Sequence, residues 1–274
     1  MDIQIKTIED LSLNAWPSHQ IQIYDGWLLR FSYFYTHRTN CVEQIGASSI
    51  PIEEKIAYCE KEYASWGTPA IFKISPLIDP SFDSLLSSKG YVVEHRIFNM
   101  LLDLHSLAFE DGTGDSHFYQ TIDSSLYDFH KEIDSDGMSL SCSSLITQAW
   151  IDALFRLKNT TNIMHRMIVP SMYQAIPKET ICVALEKDGI IYGTGLGILD
   201  RDHIGVYAIH VHPDFRRRGY ARKIVCRILQ EGYQRGASYG YLQVVSNNDI
   251  ALRLYSSLGF KPLYRDWFRV KYTK

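Results

Sequence analysis

Three consecutive arginines, a glycine and an alanine lie within the segment VHPDFRRRGYARKIV, residues 211–225. The β-forming run HIGVYAIHVH leads into this segment, and Pro213 is expected to stop strand pairing there. After the arginines, apolar residues recur at the spacing of one helical face: Ala221, Ile224, Val225, Ile228 and Leu229. Residues 216–220 are therefore predicted to form the loop between a strand and the N-terminus of a helix.

A loop in this position can bind an anion. The first turn of a helix leaves backbone N–H groups without partners, and the helix dipole contributes about 0.3–1 kcal/mol toward an anion there. Gly219 has no Cβ, so a phosphate can approach the backbone closely, and the arginines add positive charge. The pattern predicts a pyrophosphate site. A solvated basic turn and a nucleic-acid patch are the alternatives.

Two motifs in this half of the chain resemble those of the GNAT acetyltransferase superfamily. The first is Arg216-x-x-Gly219-x-Ala221, preceded by Val-x-Pro at residues 211–213. The second is NDIALRLYSSLGF, residues 248–260, which matches Asn-x-x-Ala-x-x-x-Tyr-x-x-x-Gly-Phe. Both occur in the family's order, with a helix and a strand predicted between them. The resemblance covers residues 118–274.

The resemblance implies acetyl-coenzyme A as donor and a primary amine of a small molecule or peptide as acceptor, attacked directly. It implies that Tyr255 protonates the departing thiolate. Tyr255 is otherwise a core aromatic, since leucines surround it in the sequence. The cofactor-binding residues implied by the resemblance are Ile209, His210, Val211, Arg216, Arg217, Arg218, Gly219, Tyr220, Ala221, Arg222, Asn248 and Tyr255.

The general base is less defined. Many members of the family carry a glutamate on the central strand, and GVYAIHVH contains none. His210 is the nearest titratable group, with Tyr207 and ordered water as alternatives. His210 and His212 form at most half of a metal site, so no metal is expected. Cys41 lies near His37 and is expected to be a buried structural thiol rather than a nucleophile.

The elements that must position these residues occur twice along the chain. PSFDSLLSSKGYVVEHRIFNMLLDL, from residue 80, repeats the pattern of DIALRLYSSLGFKPLYRDWFRVKY, from residue 249: a short helix, Ser-Ser-x-Gly, an aromatic residue and a strand. Upstream, helices ending near Gly67 and Gly236 each precede a strand, at residues 70–75 and 241–246. The sequence therefore predicts an α/β (α+β) fold of two GNAT-like domains, each a mixed, largely antiparallel sheet flanked by helices.

The predicted boundaries are residues 1–104 for the first domain, 105–117 for a linker and 118–274 for the cofactor-binding domain. In the second domain we also expect a strand at 118–121, helices at 126–133 and 145–157, and a hairpin turn at Asp188-Gly189. Where the second half has FRRRGYA, the first has ASSIPI. The first domain is therefore predicted to be a degenerate copy that has lost cofactor binding.

Composition limits the remaining classes. The 274 residues carry a net charge of −3, which disfavours a general nucleic-acid binder. The five cysteines have no paired spacing, the N-terminus lacks a signal-peptide pattern, and no apolar run is long enough to span a bilayer. A cytoplasmic enzyme that binds neither nucleic acid nor membrane is expected. The alternative is a coenzyme A-binding sensor without turnover. No feature of the sequence indicates an oligomeric state.

Overall fold

The computed structural model describes residues 2–107 and 134–272. The predicted strand at 118–121, the helix at 126–133 and most of the linker lie outside the described residues. The contacts divide the chain into two units. Unit 1 comprises Met1–Asn99, Val244–Asp249 and Pro262–Lys274, and unit 2 comprises Met100–Gln243 and Ile250–Lys261. No helix among the described residues combines the length and apolar character that crossing a membrane requires.

The helices are α1 (Asp2–Ala15), α2 (Ile52–Ser65), α3 (Pro80–Ser88), α4 (Gln148–Leu157), α5 (Ile163–Gln174), α6 (Tyr220–Gln234) and α7 (Asp249–Ser257). The strands are β1 (Gln20–Tyr24), β2 (Trp27–Phe31), β3 (Val42–Gln44), β4 (Ile71–Ile74), β5 (Val92–Asp103), β6 (Ser139–Ser143), β7 (Glu179–Lys187), β8 (Ile190–Asp200), β9 (His203–Val211), β10 (Tyr239–Val245) and β11 (Lys261–Val270).

The sheet of unit 1 has the strand order β1-β2-β3-β4-β11. Its pairs are antiparallel, except that β3 runs parallel to β4. The last strand of the chain thus belongs to the unit that begins it. Arg269 on β11 holds this position through a two-pronged ion pair, in which Nε and one terminal nitrogen each donate to a carboxylate oxygen of Asp83 at 2.8 Å.

Unit 2 has the strand order β10-β9-β8-β7-β6, antiparallel except for the parallel pair β9–β10. The predicted hairpin turn joins β7 to β8, and Asp188 and Gly189 both have positive φ, 51° and 75°. This is the conformation that a two-residue turn between twisted strands requires. The predicted turn is confirmed.

Helix α6 packs closely on β8. A Cβ at Gly195 would lie 2.3 Å from Ile224 Cγ2, and one at Gly197 would lie 2.7 Å from Ile228 Cγ2. Alternate glycines in YGTGLG therefore leave room for the apolar face of α6. This packing fixes the start of α6 beside the end of β9.

The predicted repetition of helix, glycine and strand is present in both halves of the chain. Gly90 and Gly259 end their helices with φ of 86° and 92°. The aromatic residue after each glycine donates its backbone N–H back to the helix, to the carbonyl of Leu86 in unit 1 at 3.0 Å and to that of Tyr255 in unit 2 at 3.1 Å. Leu86 thus occupies in unit 1 the position that Tyr255 has in unit 2.

Candidate active site

The loop between β9 and α6 has the conformation of an anion-binding site. Arg217 and Gly219 both adopt left-handed backbone conformations, with φ of 64° and 81°. Gly219 is the N-cap of α6, and the first helical hydrogen bond runs from the N–H of Lys223 to its carbonyl. Within the described chain, no backbone N–H of residues 217–222 donates to a protein acceptor. These amides lie at a helix N-terminus, where backbone N–H groups without partners can bind an anion.

A bulge interrupts β9 just before this loop. The register between β8 and β9 shifts between Thr194 and Leu196, and Ala208 takes a φ of 51°, which is unusual for a non-glycine residue. The buried Thr194 hydroxyl donates to the carbonyl of Ala208 at 3.0 Å and so holds the bulge. Sequence analysis missed Thr194, because its partner lies on the neighbouring strand.

The pairing between strands β9 and β10 ends before the bulge at Ala208. Their parallel pairing covers His203–Gly205 and Tyr239–Tyr241 and goes no further. The later residues of β9, including Ile209 and Val211, therefore have no backbone pairing to β10 in the register. We call the gap that this leaves in the ladder, beside the later residues of β9, the slot.

The three arginines of the loop, and Arg222 in the first turn of α6, differ in their contacts. Arg216 Nε donates to the carbonyl of Val211 at 3.0 Å, so this side chain caps the last carbonyl of β9. Arg222 donates to the carbonyl and hydroxyl of Ser257 at 3.1 and 2.8 Å. Arg217 is exposed and forms no hydrogen bond or ion pair with any described residue. Arg217 is therefore the arginine of this group whose guanidinium has no hydrogen-bond or ion-pair partner among the described residues.

A turn before β6 lies against the same loop, and sequence analysis did not identify it. Asp136 accepts hydrogen bonds from the Tyr220 hydroxyl at 2.9 Å and from Arg218 at 3.2 Å, and Asp134 pairs with Lys223 at 3.1 Å. The bonds from Tyr220 and then Arg218 lower the pKa of Asp136, so it is ionised at neutral pH. This turn fixes the orientation of Arg218 and Tyr220.

Tyr255 lies on α7 and is 9% exposed, with its ring edge-on to Phe260 at 6.0 Å. Its hydroxyl forms no hydrogen bond with a described residue, and burial raises its pKa to about 12. The phenol is therefore protonated at neutral pH. The contact of Arg222 with Ser257, two residues after Tyr255, joins the end of α7 to the first turn of α6.

His210 is half-buried near the end of β9, where it pairs with Thr194 across to β8. Burial, reinforced by the charges of Lys158 and Arg216, lowers its pKa to about 4. The imidazole is therefore neutral at physiological pH. Tyr207, the alternative base, is buried and donates its hydroxyl to that of Tyr241 at 3.0 Å.

Two further residues named in the sequence analysis are Asn248 and Cys41. Asn248 follows β10 in the turn before α7, where its N–H donates to the carbonyl of Val245 at 3.0 Å. Cys41 is fully buried, and burial raises the pKa of its thiol well above the ordinary value. A protonated, inaccessible thiol cannot act as a nucleophile.

The corresponding loop of unit 1 is filled by a carboxylate of the protein itself. Asp25, in the turn between β1 and β2, accepts the backbone N–H groups of Ser49 and Ile50 at 2.9 and 2.8 Å and the Ser48 hydroxyl at 2.7 Å. These hydrogen bonds lower the pKa of Asp25, and the bond from the Ile50 N–H has the largest effect. Its counterpart in the hairpin turn of unit 2, Asp188, is exposed and forms no such bond with described residues.

Comparison with known proteins shows which proteins this chain is similar to. Residues 148–260 match the model of the acetyltransferase (GNAT) family. The uncharacterized N-acetyltransferase YobR of Bacillus subtilis (strain 168) is 23% identical over 267 residues, which is 97% of this chain and 98% of YobR.

Solved structures share the fold. A GCN5-related N-acetyltransferase from Kribbella flavida superposes with a TM-score of 0.65 at 13% identity, over 99% of this chain and 95% of that one. A tandem GNAT protein from the clavulanic acid biosynthesis pathway gives 0.58 at 13% identity, over 85% and 75%. The predicted fold of two GNAT-like domains is confirmed. Residues 148–260 thus resemble a GNAT acetyltransferase domain, and nearly the whole chain is similar to an N-acetyltransferase and to solved structures of the GNAT fold.

Proposed function

We propose that unit 2 binds acetyl-coenzyme A, with its pyrophosphate on the backbone amides of residues 217–222. The observation that carries this proposal is the pair of left-handed residues, Arg217 and Gly219, which leave those N–H groups without protein acceptors at the start of the 15-residue helix α6. A diphosphate satisfies such amides and gains from the helix dipole. The free guanidinium of Arg217 adds an ion pair.

The pantetheine arm then lies in the slot where β9 has left β10. Its amides pair with backbone groups near Ile209 and Val211. The bulge at Ala208 turns these groups toward the slot, so Thr194 acts on cofactor binding through the backbone.

Replacing Thr194 with valine is expected to raise the KM for acetyl-coenzyme A about 3- to 10-fold, because one buried hydrogen bond of ordinary strength is lost at constant volume. Steady-state kinetics measure this change. Thr180→Val is the control. Thr180 lies on β7, and its hydroxyl also donates to a backbone carbonyl, that of Ser144, at 2.7 Å. Equal effects of the two substitutions would remove the role assigned to the bulge.

The chemistry proposed is direct transfer to a primary amine. The amine nitrogen attacks the thioester carbon, the C–S bond breaks, and the amine loses one proton to a base. Tyr255, protonated at neutral pH, gives its hydroxyl proton to the departing sulfur. A positioned acid of this kind contributes about 10²- to 10⁴-fold in rate.

His210 is the base that we assign to this reaction. Because its pKa is about 4, kcat should be independent of this group above about pH 5 and should fall as pH drops toward 4, where His210 gains a proton. A pH profile of kcat for the wild type and for His210→Gln tests this. If His210→Gln keeps the wild-type kcat and the same fall in kcat at low pH, His210 is not the base. The role of base would then pass to Tyr207 or to water.

The function is tested by incubating the full chain with acetyl-coenzyme A and a panel of primary amines, and by detecting free thiol. Thiol release that depends on the amine supports acetyl transfer. Saturable binding of acetyl-coenzyme A without release identifies the alternative, a coenzyme A-binding sensor. We expect calorimetry to give one site per chain, since Asp25 fills the equivalent loop of unit 1.

A further inference from the structure

Three potential metal ligands meet in unit 1, away from every residue assigned above. They are His37, Glu94 and His95, and their ligand atoms all lie within 4.8 Å of one another. His37 Nε2 is 3.0 Å from Glu94 Oε2. We propose that this His–Glu–His cluster binds a divalent transition-metal ion, for which Zn²⁺ is the test ion.

An irregular backbone conformation in β5 places the neighbouring side chains of Glu94 and His95 on the same side of the strand. In a regular strand, Glu94 and His95 would point to opposite faces of the sheet. His95 instead has a φ of 48°, in the left-handed region. This break in the alternation lets both side chains approach His37, which comes from the 3₁₀ turn at residues 37–39. The imidazole rings of His37 and His95 lie 4.6 Å apart.

The carboxylate of Glu94 is held as a metal ligand would be. Its second oxygen, Oε1, accepts a hydrogen bond from the Tyr272 hydroxyl at 2.9 Å. Among the described residues, Glu94 forms no ion pair with a lysine or arginine. Other carboxylates of unit 1 do so, as Glu43 does with Arg30 at 3.0 Å and Asp83 with Arg269. Among the described residues, the polar partners of the Glu94 carboxylate are thus His37 and Tyr272.

Two imidazole nitrogens and one carboxylate oxygen are a ligand set that Zn²⁺ accepts, with water in the fourth position. The side chains of His37 and Glu94 are 24% and 26% exposed, so an ion can reach them from solvent. The ion would replace the direct contact between His37 and Glu94. It would thereby cross-link the turn at residues 37–39 to β5, and the Tyr272 hydroxyl would orient the carboxylate from outside the coordination sphere.

The test uses the full, untagged chain after treatment with a chelator, titrated with Zn²⁺ against a chromophoric competitor. One Zn²⁺ per chain is expected. Tyr272→Phe should weaken binding about 10- to 100-fold, as loss of an outer hydrogen bond does elsewhere. His95→Asn and Glu94→Gln should weaken it more. Asparagine is chosen because it tolerates a left-handed φ. His105→Ala, an exposed histidine of unit 2, is the control and should bind as the wild type does.

Circular dichroism of each variant shows whether it is folded, and X-ray absorption of the Zn²⁺ complex should show nitrogen and oxygen ligands at about 2.0–2.2 Å. Absence of saturable binding in the wild type would overturn the proposal. So would a folded His95→Asn variant with unchanged affinity, since the ion would then lie elsewhere. These outcomes do not depend on acetyl transfer.

Discussion

Gly219→Glu is expected to reduce the affinity for acetyl-coenzyme A by at least about 100-fold. Two effects add. The left-handed φ of 81° strains any residue with a Cβ, and the new carboxylate lies among the amides assigned to the pyrophosphate, where it repels the ligand and competes for the N–H groups. No atom lies within 4 Å of a Cβ built at this position, so the substitution does not disturb packing. Isothermal titration calorimetry measures the loss.

Gly236→Glu is the matched control. Gly236 follows the other end of α6, also has a positive φ, 93°, and also has open space around a built Cβ. It carries the same backbone strain and the same added charge away from the proposed site. A large loss of affinity in both variants would indicate a general effect on the helix. Unchanged affinity in Gly219→Glu would refute the proposed pyrophosphate site.

Tyr255→Phe is expected to lower kcat by about 100-fold or more, while the dissociation constant of acetyl-coenzyme A stays nearly unchanged. The hydroxyl forms no hydrogen bond with a described residue, and its ring packs edge-on to Phe260, so phenylalanine preserves the packing and leaves no partner unpaired. What is lost is the proton for the departing thiolate. Stopped thiol-release assays at saturating substrate measure kcat.

Tyr239→Phe is the control for this change, because Tyr239 also lies in unit 2 and stacks on His203 at 5.0 Å, at the opposite end of β9 from the slot. We expect it to leave kcat near the wild-type value. Full activity of Tyr255→Phe would return Tyr255 to the role of a core aromatic. A loss of thermal stability in step with the loss of kcat would lead to the same conclusion.

The two halves of the chain show why one is assigned catalysis and the other is not. Leu86 occupies the place of Tyr255, so unit 1 has no phenol at the equivalent position. Asp25 already satisfies two of the backbone N–H groups in the loop before α2. The missing arginines and glycine of ASSIPI predicted the loss of cofactor binding. The Asp25 carboxylate gives a second, physical reason to expect this loss, one that the composition of the loop does not contain.

Local chemistry along the chain was enough to predict much of the architecture. The left-handed glycine after each short helix, the Asp188-Gly189 turn and the strand–loop–helix around Gly219 follow from residues only a few positions apart. Turn and capping preferences act over that range, and side-chain periodicity defines a helical face without knowledge of its partner. The repetition of the two halves could be recognised for the same reason.

Contacts between distant residues were decided only by folding. The Thr194 hydroxyl on β8 donates to Ala208 on the neighbouring strand β9. Arg218 pairs with Asp136, which is 82 residues away in the sequence, and Arg269 pairs with Asp83, which is 186 residues away. No pattern within either segment specifies such a partner, because many exposed aspartates or threonines have the same local sequence character. Which strand lies beside which, where β9 bulges and which carboxylate fills a loop all depend on how the sheets assemble, and this required the tertiary structure.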